Sequence, residues 1–380
     1  MSWSKFRLAA LLLVLPLVGA RAEDFKVGTI LPLTGPGADI GRFLLQGAKA
    51  GVVMANARGG IGGMNVVLVQ CDTQSNEQQA VLCARRHASE KVNLLLGAGT
   101  TPQTLAILPT VEAAQIPLFA IAGGTVNFRP LKKWVFKALA TIDDQMPVAL
   151  EFLRPKGVKR LASIRDNGPF GKDVSETLIA TAPKFGMEII AEEVYSPTDT
   201  DMSAQVTRVR AARPDAIFDW SSNPPPGAMV AKKIVQLGIT VPIVVGQNLQ
   251  TKIFAELSGD AADQILYLGS KASIADVPDS DPLAQNLKDF RAAFKKVEPD
   301  AEVVALTTVC ADPILVTQAA AKSLGAKALD GNALRDALET VKNVPALQGI
   351  WTFTPTSHES VMKEGTALMK YAKGSWVAVK

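Results

Sequence analysis

The chain has 380 residues, 48% of them hydrophobic, with 40 Lys and Arg against 36 Asp and Glu. Residues 1–22 carry Lys5, Arg7 and Arg21 and no acid, so without them the net charge is only +1. Such a balance gives no electrostatic footprint for nucleic acid or an acidic membrane surface, and the 358 remaining residues suffice for two domains.

In chain order, Lys5 and Arg7 precede an apolar run from Leu8 to Val18, followed by the small residues of Ala20-Arg-Ala22. This reads as a secretory signal cleaved after Ala22, the run being too short for an anchor. No later segment is long and apolar enough to span, so the mature protein is expected to be soluble. A strand is expected at 25–31, then a loop at 32–37 and a helix at 40–57 ending in Arg58-Gly-Gly60. A second strand, 64–70, leads through Asp72–Asn76 to a helix at 77–90. Cys71 and Cys83 flank that connection. They either pair in an oxidising compartment or remain buried thiols, with Cys310 left over.

The stretch Gly97-Ala-Gly-Thr-Thr-Pro-Gln103 follows a short apolar strand at 92–96. Two glycines allow a sharp turn. Thr101 is placed as the N-cap and Pro102 as the first helical residue. The turn therefore presents unpaired N–H groups, a positive dipole end and the hydroxyls of Thr100 and Thr101, which suits a carboxylate. A strand at 117–120 follows. The alternation implies a parallel sheet covered by helices, with ligand loops at 32–39, 97–101 and 122–125 beyond the strand ends.

A second α/β series begins near Asp144, with strands at 159–164, 187–195, 216–220, 242–245 and 265–269. Its helices are expected at 172–185, 203–212 and 227–237, and Ser221–Pro226 forms a stiff loop with three prolines. After Ser270 the pattern turns helical, at 282–296, 303–323 and 331–341, before short strands close the chain.

Much chemistry is missing from the sequence. No phosphate loop occurs, Gly97-Ala-Gly99 lacks the third glycine of a dinucleotide fingerprint, and no His-Glu-x-x-His or Cys-x-x-Cys pair exists. His87 and His358 are expected to be surface residues without a serine partner, so no catalytic dyad, metal site or cofactor is expected.

The sequence resembles the periplasmic leucine/isoleucine/valine-binding family, the ligand receptors of bacterial ABC importers, over essentially the whole mature chain. The resemblance rests on Val27-Gly-Thr-Ile-Leu-Pro-Leu-Thr-Gly-Pro36, Gly47-Ala48, Asn56-Ala-Arg-Gly-Gly-Ile-Gly-Gly63, Asp72, Gly97–Gln103, Pro117, Asp143-Asp-Gln145, Asp166-Asn-Gly-Pro-Phe-Gly171 and Pro214-Asp215. It implies an α/β fold of two doubly wound parallel-sheet lobes joined by a three-crossing hinge, the periplasmic binding protein-like I architecture. Lobe one would comprise 23–143 plus 271–350 and lobe two 144–270 plus 351–380. A monomer in the periplasm that serves a membrane permease is implied, with no nucleic acid and no cofactor.

By the same resemblance, lobe one would hold a ligand carboxylate at Thr100, Thr101 and the loop Ala122, Gly123 and Thr125, while Ile40 packs on the ligand's apolar part. Family members carry two tyrosines and an acid in lobe two to hold an ammonium. Those positions fall here at Phe170, near Ser222 and Asn223, and near Gln247 and Asn248. With those roles unfilled unless Asp166 or Asp219 takes them, the expected ligand is a small carboxylate with an apolar or aromatic body. A true branched-chain amino-acid receptor is the first rival. A secreted α/β enzyme and a ligand sensor for a signalling partner are rivals of other classes.

Overall fold

The computed structural model describes residues 23–379; the secretory signal read at 1–22 lies outside the described residues. The first α/β unit runs β1 (Phe25–Leu31), α1 (Ala38–Ala57), β2 (Val66–Asp72), α2 (Glu77–Ser89), β3 (Leu94–Gly97), α3 (Thr101–Ala114), β4 (Leu118–Ala120) and β5 (Val135–Lys137). The second runs α4 (Ile142–Leu153), β6 (Arg160–Asp166), α5 (Pro169–Thr181), β7 (Glu188–Tyr195), α6 (Ser203–Ala212), β8 (Ala216–Trp220), α7 (Pro224–Gln236), β9 (Ile243–Val245), α8 (Lys252–Ser258) and β10 (Ile265–Ser270). A helical return follows with α9 (Ala284–Val297), α10 (Ala305–Val309), α11 (Ala311–Ala320) and α12 (Gly331–Leu338). Four short strands finish the chain: β11 (Val344–Pro345), β12 (Ile350–Trp351), β13 (Thr366–Ala372) and β14 (Ser375–Ala378).

The first sheet has strand order β2-β1-β3-β4-β5 and is parallel throughout. The second has order β14-β13-β10-β9-β8-β6-β7, with the last hairpin antiparallel to β10. Inner strands such as β3 and β8 are buried along their whole length, as a parallel sheet covered on both faces requires. The return helices pack on the first lobe. Ala50 and Met54 of α1 share a core with Phe290 and Phe294 of α9 and with Ala311 of α11. Gly47 sits in that contact, where a Cβ would lie 1.8 Å from the Thr307 carbonyl oxygen.

Several expectations shift. The strand expected at 64–70 is β2 at Val66–Asp72. The single helix expected at 303–323 is broken at Cys310; Pro313 has no N–H to donate to the Val309 carbonyl, so an unbroken helix would lack that bond. The boundary expected after residue 350 falls inside one packed piece. Trp351, Phe353 and Met362 belong to the first lobe's core, with Phe353 5.2 Å from Phe136 and 6.1 Å from Phe119. The chain rejoins the second sheet only at β13.

Both histidines are buried, contrary to expectation. His87 turns inward from α2 and its Nε2 lies 3.0 Å from the Thr29 carbonyl; burial lowers its pKa. His358 stacks on Phe136 at 4.0 Å, with Nδ1 on the Val135 carbonyl and Nε2 on Glu339. Cys71 and Cys83 form a disulfide that ties the end of β2 to α2, while Cys310 is a buried thiol whose pKa burial raises.

Candidate functional site

In each sheet one strand has its successor on one side and a later strand on the other. These are β1, between β2 and β3, and β6, between β7 and β8. Ligands gather beyond the C-terminal ends of strands at such switches. The loops there meet across the lobe boundary. Thr125 Oγ1 donates to Asp173 Oδ1 at 3.3 Å, and Gln247 Nε2 donates to the Ala140 carbonyl at 3.1 Å.

The first-lobe wall starts after β1. Asp72, at the end of β2, accepts from Leu33 N, Thr34 N, Gln74 N and Thr34 Oγ1 at 2.6–3.1 Å. Burial would raise this carboxyl's pKa, but those bonds together hold it below the usual range. The clamp fixes the loop that leads to Ile40, which lies half-buried on α1 against the first core.

After β3, Thr100 rather than Thr101 is the N-cap: its Oγ1 accepts from Gln103 N at 3.4 Å. Thr101 is the first helical residue, and its hydroxyl is left for another task. Asn127 Nδ2 donates to Thr101 Oγ1 at 3.3 Å and to the Ala122 carbonyl at 3.0 Å. Because Thr101 Oγ1 accepts that bond, its own hydrogen is free to donate. Gly124 lies against the same oxygen, where a Cβ would approach to 2.5 Å. Ala122 is buried, and Gly123 and Thr125 are half-buried in the same loop. Asn127 is fully buried and was missed by sequence reasoning, since an Asn in a loop carries no signal beyond turn formation.

The second-lobe wall centres on the loop after β8. Asp166 Oδ2 accepts from Ser222 N at 2.7 Å and from Ser222 Oγ at 2.5 Å, while Oδ1 accepts from Gly168 N at 2.9 Å. Asp219 is fully buried beneath the loop; Ser221 Oγ donates to its Oδ1, and the Tyr195 hydroxyl donates to Ser221 Oγ. Burial pushes the Asp219 carboxyl up to about 7 against the Ser221 bonds. Asn248 Nδ2 donates to the Ser221 carbonyl at 2.8 Å and the Ser222 carbonyl at 3.2 Å. Phe170 is half-buried near the start of α5, against the core behind it. Asn223 is exposed at the start of α7 and makes no side-chain cap.

Asp173, three residues after Phe170 on α5, was also missed. It is half-buried; burial raises its pKa, the Thr125 bond lowers it, and Asp143 and Glu176 raise it further. At the crossing between lobes, the Ala140 carbonyl also accepts from Gln145 Nε2 at 2.7 Å, and Ala140 N donates to Gln348 Oε1 at 3.2 Å. Among the described residues no group of three or more His, Cys, Asp or Glu is placed to hold a metal ion, and no helix is long and apolar enough to cross a membrane.

This arrangement, two Rossmann-like lobes with polar loops facing one another across a crossing, fits enclosure of a small solute. The family model described as periplasmic binding protein matches residues 24–375. The chain belongs to the periplasmic binding protein family. That family comprises solute-binding receptors rather than an enzyme class.

Among curated proteins, this periplasmic binding protein is similar to the Leu/Ile/Val-binding protein BraC3 of Rhizobium johnstonii, at 26% identity over 98% of both chains. It is also similar to Leu/Ile/Val-binding protein homolog 3 of Brucella melitensis, at 24% identity over 89% of both. Among solved structures, an extracellular ligand-binding receptor from Rhodopseudomonas palustris HaA2 superposes with a TM-score of 0.81 at 25% identity, covering 94% of this chain and all of that one. LivJ of Streptococcus pneumoniae, solved in complex with isoleucine, superposes with a TM-score of 0.77 at 21% identity, covering 94% and 98%. The fold is the type I periplasmic binding fold of two parallel-sheet lobes.

Proposed function

We propose that this protein is the periplasmic substrate receptor of an ABC importer of the branched-chain amino-acid type. Its ligand is a small carboxylate with an apolar or aromatic body and no α-amino group. The carboxylate is held at the start of α3, by the Thr101 hydroxyl and the Ala122–Thr125 loop, with Thr100 beside it. Ile40 and Phe170 flank the ligand's body, and Ser222, Asn223, Gln247 and Asn248 form the far wall. Ligand binding favours the closed form, because only there do both lobes touch it. The receptor delivers its ligand as a monomer to a membrane permease after export under the leader at 1–22.

The observation that carries this reading is the state of Asp166 and Asp219, the acids beneath the loop after β8; Asp173, the other second-lobe acid at the cleft, accepts from Thr125 of the first lobe. Asp166 accepts three hydrogen bonds from its own lobe, and Asp219 is sealed under Ser221 and Tyr195. Neither is turned toward an ammonium, and an ammonium buried against neutral groups is costly. A second reading, a leucine/isoleucine/valine receptor, is favoured by the names of the curated relatives. Isothermal titration of ligand-stripped protein separates the two. A deaminated carboxylate should bind at least about 1.4 kcal/mol, or tenfold, more tightly than leucine, isoleucine or valine. Tight leucine binding with no response to deaminated analogues returns the assignment to branched-chain amino acids.

A further inference from the structure

Two neighbouring groups of the second-lobe wall, Ser222 Oγ and Asn248 Oδ1, can act only as acceptors. Ser222 Oγ gives its only hydrogen to Asp166, so toward the cleft it can only accept. Asn248 uses its amide nitrogen on two backbone carbonyls, those of Ser221 and Ser222, at 2.8 and 3.2 Å. An amide NH₂ has two hydrogens, so both are engaged. Its Oδ1 has no partner among the described residues and is not sealed from solvent. The helix that begins beside them, α7, opens with Pro224, Pro225 and Pro226, which have no N–H. Of the four N–H groups a helix start ordinarily offers, only that of Asn223 remains. Gln247, next in the wall, commits one amide hydrogen to the Ala140 carbonyl and keeps the other.

We infer that this wall selects ligands carrying a hydrogen-bond donor away from the carboxylate, namely a hydroxyl group accepted by Asn248 Oδ1 and Ser222 Oγ. The inference rests on the deaminated-carboxylate reading above and narrows it to hydroxy-substituted acids. A carbonyl or ether oxygen at that place would face oxygen lone pairs and lose. An unsubstituted acid would leave the two acceptors desolvated and unpaired. The first lobe has the opposite character: the Thr101 hydroxyl, freed by Asn127, donates. The two walls thus read the two ends of the ligand by opposite polarity.

The test is titration calorimetry on the full mature protein, stripped of ligand, with phenylacetate, 3- and 4-hydroxyphenylacetate and their methyl ethers. One of the two hydroxy acids should bind about threefold to tenfold more tightly than both its methyl ether and phenylacetate. In Asn248→Ala that preference should fall to about onefold, whatever the variant's overall affinity. A merely structural role for Asn248 would weaken all the acids alike and leave the preference in place. Equal or tighter binding of the ether or of phenylacetate overturns the inference while leaving the parent reading intact, as does a preference retained by a folded Asn248→Ala. If that variant does not fold, the wild-type ratios alone decide. Silence from all these acids overturns the inference, and the parent reading is then decided by titration with aliphatic deaminated carboxylates against leucine, isoleucine and valine.

Discussion

Thr125 of the first lobe and Asp173 of the second share a hydrogen bond of 3.3 Å across the cleft. It is a direct side-chain bond between the two walls, and it exists only while the lobes stand this close. Asp173→Ala should therefore weaken ligand binding by about threefold to tenfold, since the bond adds to the closed form alone. Asp173→Asn keeps an acceptor oxygen and should stay within about twofold of wild type. Calorimetry gives the affinities, and small-angle scattering of the liganded protein reports whether closure is less complete in the alanine variant.

The Asn127–Thr101 pair makes a second prediction. Thr101→Val removes the hydroxyl proposed to meet the carboxylate, and a lost bond to a charged group is worth about 1.5–3 kcal/mol, so affinity should fall about tenfold to a hundredfold. Because Thr100 is the helix cap, Thr101→Val leaves the cap intact, and its unliganded melting temperature should fall only through the buried Asn127 N–H that loses its acceptor. Thr100→Ala should instead cost about 1 kcal/mol of stability. Urea titration alongside calorimetry separates the two residues.

Gly124 tests the same oxygen from its other side. Its φ of −65° suits any residue, so Gly124→Ala adds no backbone strain. The new methyl, 2.5 Å from Thr101 Oγ1, would push the hydroxyl off its line. Affinity should fall while the melting temperature changes little, as read by calorimetry and thermal unfolding.

Asp219 makes stability depend on pH. Its folded pKa, pushed up by burial to about 7, lies above its unfolded value of 3.8, so the folded protein holds the proton more tightly. The stability this contributes is complete below pH 3.8 and is lost as pH rises through about 7. Asp312, buried and likewise pushed up to about 7, acts in the same direction. Thermal melts between pH 5 and 8 should show a decline that Asp219→Asn makes shallower but does not abolish.

The disulfide and the Asp72 clamp adjoin one another. Reduction of Cys71–Cys83, a link spanning 12 residues, should cost roughly 3 kcal/mol by loop-closure entropy. It should also loosen the loop held at Leu33 and Thr34. Asp72→Ala should reproduce the loosened loop with the disulfide intact. Hydrogen exchange at Leu33 and Thr34 N–H, with and without reductant, measures both effects.

The alternation of strands and helices was legible because buried parallel strands are nearly continuous apolar runs, as in Leu94–Gly97 and Ala216–Trp220. Three-residue β5 escaped, since Val135-Phe-Lys137 is too short for any period. The cap was misplaced by one residue because Thr100 and Thr101 are adjacent and chemically alike. His87 looked exposed from its polar neighbours on α2, but its helix face is decided by contact with Thr29 on β1, 58 residues earlier. Asn127 and Asp173 were invisible for the same reason: their meaning lies in bonds to Thr101 and Thr125, 26 and 48 residues away. The last crossing was placed too early because the aromatic contacts of Trp351 and Phe353 with Phe119 cannot be read from order along the chain.

The peptide unit of Ala140 is gripped by Gln145, Gln247 and Gln348, from three separate segments. Gln247 belongs to this grip as well as to the proposed ligand wall. A lineage that changes residue 247 to suit a new solute changes, in the same step, how freely the lobes swing apart. Recognition and release are thereby tied to one codon. New specificities in this receptor should arise more readily at Ser222 or Phe170, where selection for a ligand does not also reset the rhythm of opening.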